Sequence, residues 1–303
     1  FLTPLNSLQI HLIVQIDSQI GRAHWVNGGL TIDATQWFTA PLTVTASSGL
    51  LKWSRDAMGT LQLDAPETQF ATPDFTVTAA VAVALPSDGA SPEVDATFQL
   101  GHLAATRVPT YLPLKLFSPA LGDWLESALL SGEASSSRVR LQGPLDQFPF
   151  RQGGGLFEVQ SQVAGVDLNY QKAWPQLRKL SGELIFTGVG MQGEFSQGQL
   201  LQTRLHDVAV KLPYARDQRV LAVNGQVEGP NSAFLQFLAE SPLASRFAGL
   251  ASSMQPEGDG ELNLALRIPL MKGAEYGVGG VVRVAGADLF FPAIKLRIED
   301  VQG

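Results

Sequence analysis

The chain of 303 residues contains no cysteine. A protein of this size does not depend on disulfides, so that absence is compatible with an oxidising compartment. Charge is also scarce: Asp, Glu, Lys and Arg make up 16% of the residues, where a soluble domain usually carries about 25%. The 21 basic residues are scattered and the net charge is −7. No basic stripe exists for a phosphate backbone to follow, so no nucleic-acid partner is expected. Long hydrophobic runs are missing too. The longest, VTAAVAVAL at 77–85, falls well short of the ~20 residues that a membrane-spanning helix needs. The chain opens on Phe1, with neither an initiator methionine nor a signal peptide, and is expected to be an internal piece of something longer.

What the sequence does contain is alternation of period two. Leu8, Ile10, Leu12, Val14 and Ile16 share one face of such a run, as do Val77, Ala79, Val81, Val83 and Leu85. The pattern returns at Val94, Ala96, Phe98 and Leu100, at Val208, Val210 and Leu212, and at Leu262, Leu264, Leu266 and Ile268. Each run reads as a strand with one apolar and one polar face, the habit of antiparallel sheets. Turn chemistry separates them, as in Ser87-Asp88-Gly89 and Glu257-Gly258-Asp259-Gly260. Roughly 16 to 20 strands are expected.

Two helical islands interrupt the strands. Ser118 and Pro119 suit the N-cap and first position of a helix over 118–131. Its stripe is Leu121, Trp124, Leu125, Ala128 and Leu129, and Gly132 is placed to end it. Acidic Asp123 and Glu126 flank the stripe, which favours a helix covering the sheet over one lying on a membrane surface. A helical pair is predicted over 231–251, with Phe234, Phe237 and Leu238 on one face, then a restart at Ser241-Pro242 carrying Leu243, Phe247 and Leu250.

Part of the sequence occurs twice. QVAGVDLNY (162–170) returns as RVAGADLFF (283–291), Ser118-Pro119 as Ser241-Pro242, and LQGPL (141–145) as LRIPL (266–270), at offsets of 121 to 125. Three anchors in one order indicate a reused unit of a helix, a strand ending in a proline turn, and further strands. In the first copy the apolar phase switches after Gly165, and in the second after Gly286. Such a glycine marks either a bulge that coils the strand or a tight turn between two short strands.

Catalytic patterns are absent. His11, His24, His102 and His206 are dispersed without metal-ligand spacing. GEFSQG (193–198) misplaces the serine of a nucleophile elbow. GVGMQG (188–193) fits a dinucleotide fingerprint, but no helical stripe follows to hold a pyrophosphate. Glu257 and Asp259, and Asp56 near Lys52 and Arg55, read as soluble loop charges. A non-enzyme without metal or cofactor is expected; only a spatially assembled carboxylate pair would escape a reading of this kind.

Residues 111–195 carry YLP, SPAL-x-x-WLESAL, RLQGPLDQFPF, GGGLFEV, VDLNY, Trp174-Pro175, LSGELIFTG and Gly190-Met191 in succession. This stretch resembles YhdP-type proteins of the AsmA-like superfamily, whose relatives include TamB. The resemblance implies a mainly β fold: an elongated, curled, mostly antiparallel sheet of repeated units forming a hydrophobic groove, with a few short amphipathic helices. It implies a periplasmic part of an inner-membrane-anchored protein of a Gram-negative bacterium. Its partners would be glycerophospholipids and, through parts of the longer protein, the inner and outer membranes. The function implied is phospholipid transfer between those membranes, in support of the outer-membrane barrier; the other function, borne by TamB-like relatives, is assistance to outer-membrane protein assembly through an exposed sheet edge.

The segments expected are 1–110 as an N-terminal β part, 111–230 as one helix-plus-β unit and 231–303 as a second. The expected lining is Leu8, Ile10, Leu12, Val14, Val77, Val81, Val83, Phe98, Leu100, Val208, Val210, Leu262, Leu264 and Leu266. Alternation alone does not say what these faces pack against: a self-packed sandwich would show the same pattern.

Overall fold

The computed structural model describes residues 20–26, 28–213, 220–244, 258–270, 277–284, 289–291 and 296–299. The period-two runs among them are strands, since a pleated backbone sends successive side chains to opposite faces. In chain order these are β1 (Ile20–Trp25), β2 (Leu30–Ile32), β3 (Leu42–Val44), β4 (Ala46–Arg55), β5 (Leu61–Ala71), β6 (Thr76–Leu85), β7 (Glu93–Leu100), β8 (Leu103–Ala104) and β9 (Leu129–Pro144). They continue as β10 (Leu156–Leu168), β11 (Leu177–Thr187), β12 (Gly190–Leu200), β13 (Thr203–Leu212), β14 (Val220–Pro230), β15 (Asp259–Pro269), β16 (Gly277–Val284), β17 (Leu289–Phe291) and β18 (Leu296–Glu299).

One sheet joins sixteen of them in the order β1, β4, β5, β6, β7, β9, β10, β11, β12, β13, β14, β15, β16, β18, β17, with β8 against β9, while β2 and β3 pair separately. Among the described residues the path is open, ending on β1 and on β17. Pairings from β4 to β7 and from β12 to β16 are antiparallel, and β16 with β18 is parallel. Short turns dictate the pairing of β4 with β5, β5 with β6, β11 with β12 and β12 with β13, because a two- to five-residue turn can only return the chain beside the strand it left. The chain falls into two compact units, the first comprising 1–126, 134–161 and 186–189, the second 127–133, 162–185 and 190–303. Among the described residues no helix is long and apolar enough to cross a membrane.

The helices differ from expectation in instructive ways. Helix α1 runs over Pro119–Ala128, with the Ser118 carbonyl accepting from the Leu121 and Gly122 amides. It stops three residues before the predicted end. The carbonyl of fully buried Ala128 accepts from the Asn169 amide at 2.8 Å instead of continuing the helix, and Leu129 opens β9. Gly132 therefore lies inside β9 at φ +93°, where an added Cβ would stand 2.5 Å from Val166 Cα. Close approach of two backbones, not helix capping, is what requires glycine there. Helix α2 spans Asn231–Ala239, and the chain restarts at Ser241, whose hydroxyl accepts from the Leu243 amide at 3.2 Å. Phe247 and Leu250 lie outside the described residues.

The repeat has structural counterparts. Pro144 ends β9 as Pro269 ends β15. A 3-10 segment, Ala105–Tyr111, precedes Ser118 as α2 precedes Ser241. Of the two readings of the phase-switching glycine, the first copy takes the bulge: β10 continues through Gly165 at φ +61°, and the Gly165 amide is held by the Ser181 hydroxyl at 3.0 Å. Gly286 lies outside the described residues.

Candidate functional site

In the first unit the strand registers align the apolar side chains into rows across the sheet. Leu63 of β5 faces Val83 of β6, which faces Val94 of β7. The next row runs Ala65, Val81, Ala96 and Leu141 of β9, and another runs Thr68, Ala79, Phe98 and Val139. The last joins Phe70, Val77, Leu100 and Ser137. Period two thus puts every Val, Leu and Phe of β6 and β7 on one face, leaving Ala80, Ala82 and Ala84 on the other, and the partner strands follow by register.

One bulge, in β5, keeps the neighbouring strands in phase. Register shifts between Ala65 and Thr68 against β6, and the same residues shift it against Gly49 to Lys52 of β4. The bulge contains Pro66, which has no amide to give a ladder and so settles there. Towards the β1 edge the face changes character, becoming large aromatics set opposite glycines. A Cβ on Gly21 would lie 2.1 Å from the Trp53 ring, and one on Gly49 would lie 2.7 Å from the Trp25 ring. Each indole therefore occupies the space that a side chain on the opposing strand would need.

The second unit repeats the scheme. Leu205 of β13 faces Val227 of β14, which faces Leu262 of β15. Val210, Val223 and Leu266 form a further row, and Leu264 stands opposite Gly225, whose missing side chain makes room for Val208. A bulge between His206 and Ala209 again changes the phase, so that odd Leu205 and even Val208 and Val210 share a face.

Burial distinguishes this face from a closed core. Among the described residues no large side chain is fully buried; the most enclosed apolar positions are alanines, such as Ala79 at 1% and Ala96 at 2% exposure. Val77, Val81, Val83, Phe98, Leu100, Val208, Val210, Leu262, Leu264 and Leu266 are all half-buried. A sandwich of ordinary packing hides its Val, Leu and Phe completely. The opposite face is polar, with Asp95, Thr97 and Gln99 set against Gln142, Arg140 and Arg138, and Lys52 against Asp64 at 3.7 Å.

Charged and aromatic clusters fix the segments that flank this face. In the first unit, Arg107 of the 3-10 segment donates to both carboxylate oxygens of Asp74, at 3.0 to 3.1 Å, and Tyr111 donates to Asp74 at 2.6 Å. The Tyr111 ring meets Phe75 edge-on at 4.6 Å. The Arg107 bond holds the Asp74 carboxyl below its usual range, and burial foremost raises the Tyr111 phenol. In the second unit, Trp174 stacks at a tilt on Tyr170 and on Phe237 of α2, with Leu243 buried among them. Burial pushes the Tyr170 phenol well up. Among the described residues no group of acidic or histidine side chains could hold a metal. Asp56 caps its own turn, accepting from the Met58 and Thr60 amides at 2.9 Å, and Gly188-Val189 of GVGMQG supply the turn between β11 and β12, the rest of the motif opening β12.

Of the lining residues expected from the sequence, the structure brings Val77, Val81, Val83, Phe98 and Leu100 onto one face of the first unit, and Val208, Val210, Leu262, Leu264 and Leu266 onto one face of the second. Leu8, Ile10, Leu12 and Val14 lie outside the described residues. Sequence reasoning missed Trp25, Trp53, Leu63, Phe70, Leu141, Phe195, Leu205, Val223 and Val227. Most of these sit where a bulge or an inward glycine breaks strict alternation; Pro66 was the one printed signal of such a break.

Comparison with known proteins gives a consistent result. The profile of the family described as "YhdP protein" matches residues 7–303. The chain is 26% identical, over 194 residues, to the intermembrane phospholipid transporter YhdP of Escherichia coli (strain K12), a match covering 64% of this chain and 15% of that protein. The chain thus spans a small part of that relative's length. No solved structure shows significant similarity to it. With the family profile matched over nearly its whole length, the chain belongs to the YhdP protein family.

Proposed function

We propose that this chain is a periplasmic part of an intermembrane phospholipid transporter, and that acyl chains of glycerophospholipids travel against the apolar face of its sheet. The observation that carries this reading is the half-buried state of that face. Apolar side chains aligned in rows, most of them only half-buried although Trp53, Leu205 and Val227 are buried, suit a mobile apolar ligand better than a fixed core. A diacyl lipid has about 30 methylenes, each costing about 0.8 kcal/mol in water, so passage through solvent faces a barrier on the order of 20 kcal/mol. An apolar surface removes most of that barrier without chemistry or cofactor. The relative's name, a phospholipid transporter, supports the same cargo.

The test is native mass spectrometry of the purified chain, followed by extraction of whatever is bound. Co-purifying phospholipid that disappears when Val83 and Val210 are both changed to Asp supports the carrier. A lipid-free mass, with no uptake of a photo-crosslinkable phospholipid, sinks it and favours the assembly role of TamB-like relatives.

A further inference from the structure

The apolar face of the second unit is closed at one end of its strands and open at the other. At the closed end lie Leu205, at 6% exposure, and Val227, at 4%. Next to them Gly260, in phase with Leu262 and Leu264, is covered by α2: a Cβ there would meet the Asn231 side chain and stand 3.3 Å from the Phe234 ring. Phe237 of the same helix packs on the Trp174 indole, and Trp174 and Leu243 are buried. The burial that raises the Tyr170 phenol belongs to this cluster too. At the other end the face runs out towards solvent. Met191 faces Leu212, Leu221 faces Ile268, and all four are half-buried. Leu270, just past the end of β15, is 51% exposed. Between the two ends, Leu262 and Ile268 are six positions apart, about 20 Å along a strand at ~3.3 Å per residue. One leaflet of a bilayer has hydrocarbon about 15 Å deep, half of the ~30 Å core, so an acyl chain laid along these strands fits between the ends.

The two parts of a phospholipid have opposite needs. Placing its phosphate in the dry cluster under α2 would cost far more than burying a terminal methyl there gains. The lipid must therefore sort its ends between the ends of the face. Resting on the carrier reading above, we infer that α2 is a stop that orients the cargo: a glycerophospholipid lies with its acyl chains along β13 to β15, methyl ends against Phe234 and Leu205, and its headgroup beyond Leu212 and Ile268, in water. Passage from strand to strand in that orientation keeps the phosphate hydrated at every step, while only the chains exchange one row of side chains for the next.

The experiment offers the 303-residue chain two phosphatidylethanolamines, one carrying a diazirine at the last carbon of an acyl chain, the other carrying it on the headgroup. After irradiation the labelled residues are mapped by peptide mass spectrometry. The chain-end probe is expected to label α2, Leu205 and Leu262 over Leu212 and Ile268 by roughly five-fold, and the headgroup probe to show the reverse preference, because only one end of the lipid tolerates desolvation. Phe234→Ala replaces the ring of the stop by a cavity and should lower the chain-end preference by about half, with bound lipid unchanged; Phe234→Leu, which keeps apolar bulk, should retain it. The wild-type maps decide the orientation whether or not the alanine variant folds. Even labelling by both probes, the opposite pattern, or a preference that a folded Phe234→Ala leaves intact each overturns the stop. Retention of neither probe by the wild type defeats the carrier reading itself.

Discussion

At the residue scale, glycine and aromatic side chains share the work of shaping the apolar face. Gly49 is opposite both Trp25 and Thr68, so a branched side chain there must displace an indole. Gly49→Val is expected to cost about 1–3 kcal/mol, the usual penalty of overpacking, seen as a lower urea midpoint at unchanged slope. Tyr170 makes a different prediction. Its phenol is raised in the folded chain by burial, so the stability it contributes is complete below the unfolded value of about 10 and is lost as pH rises through the folded one. Alkaline unfolding should therefore be delayed in Tyr170→Phe; a variant that unfolds at the same pH as the wild type refutes the assignment. Asp74 runs in the opposite sense. Depressed by Arg107, it supports the fold above the unfolded carboxylate value of about 3.9, and that support goes as pH falls through the folded one.

At the scale of elements, the sequence was legible wherever strict alternation ran uninterrupted. β6, β7 and β15 could be read residue by residue, because both their faces are declared by period two. β5 and β13 could be read only in part, since a bulge changes which parity faces inward and nothing local fixes the new phase. Helix α1 was legible at its start, where Ser118-Pro119 is a local signal, and not at its end, where the Ala128 carbonyl is claimed by Asn169 from 41 positions further along. The backbone contact at Gly132 is invisible in sequence for the same reason. Gly132→Ala should be among the most damaging glycine changes, combining positive φ with a backbone clash, at roughly 2 kcal/mol or more; a melting temperature equal to the wild type would contradict the placement. The 3-10 segment depends on its latch. Arg107→Ala should speed hydrogen exchange at the Leu112 amide, which donates to Pro109, while leaving strands β12 to β15 unchanged.

At the scale of the whole molecule, a carrier surface and a packed core respond differently to mutation. If the rows serve acyl chains by contact alone, Val81→Ala should leave lipid retention within about two-fold, as one small loss in a long surface. Val210→Asp places a charge on that surface and should abolish passage when introduced into the full-length protein; transport that persists would show that Val210 does not face the lipid. The strand order carries a separate consequence. From β4 to β16 the sheet follows the order in which the residues are synthesised, broken only by the small offshoot of β8. Apart from the long connections before β9 and β15, which carry the helical segments, the loops between successive strands are short, so little chain entropy must be surrendered before those pairings are rewarded. Such a chain is expected to acquire structure vectorially, each hairpin annealing to the last as it emerges, with no need to wait for a distant partner.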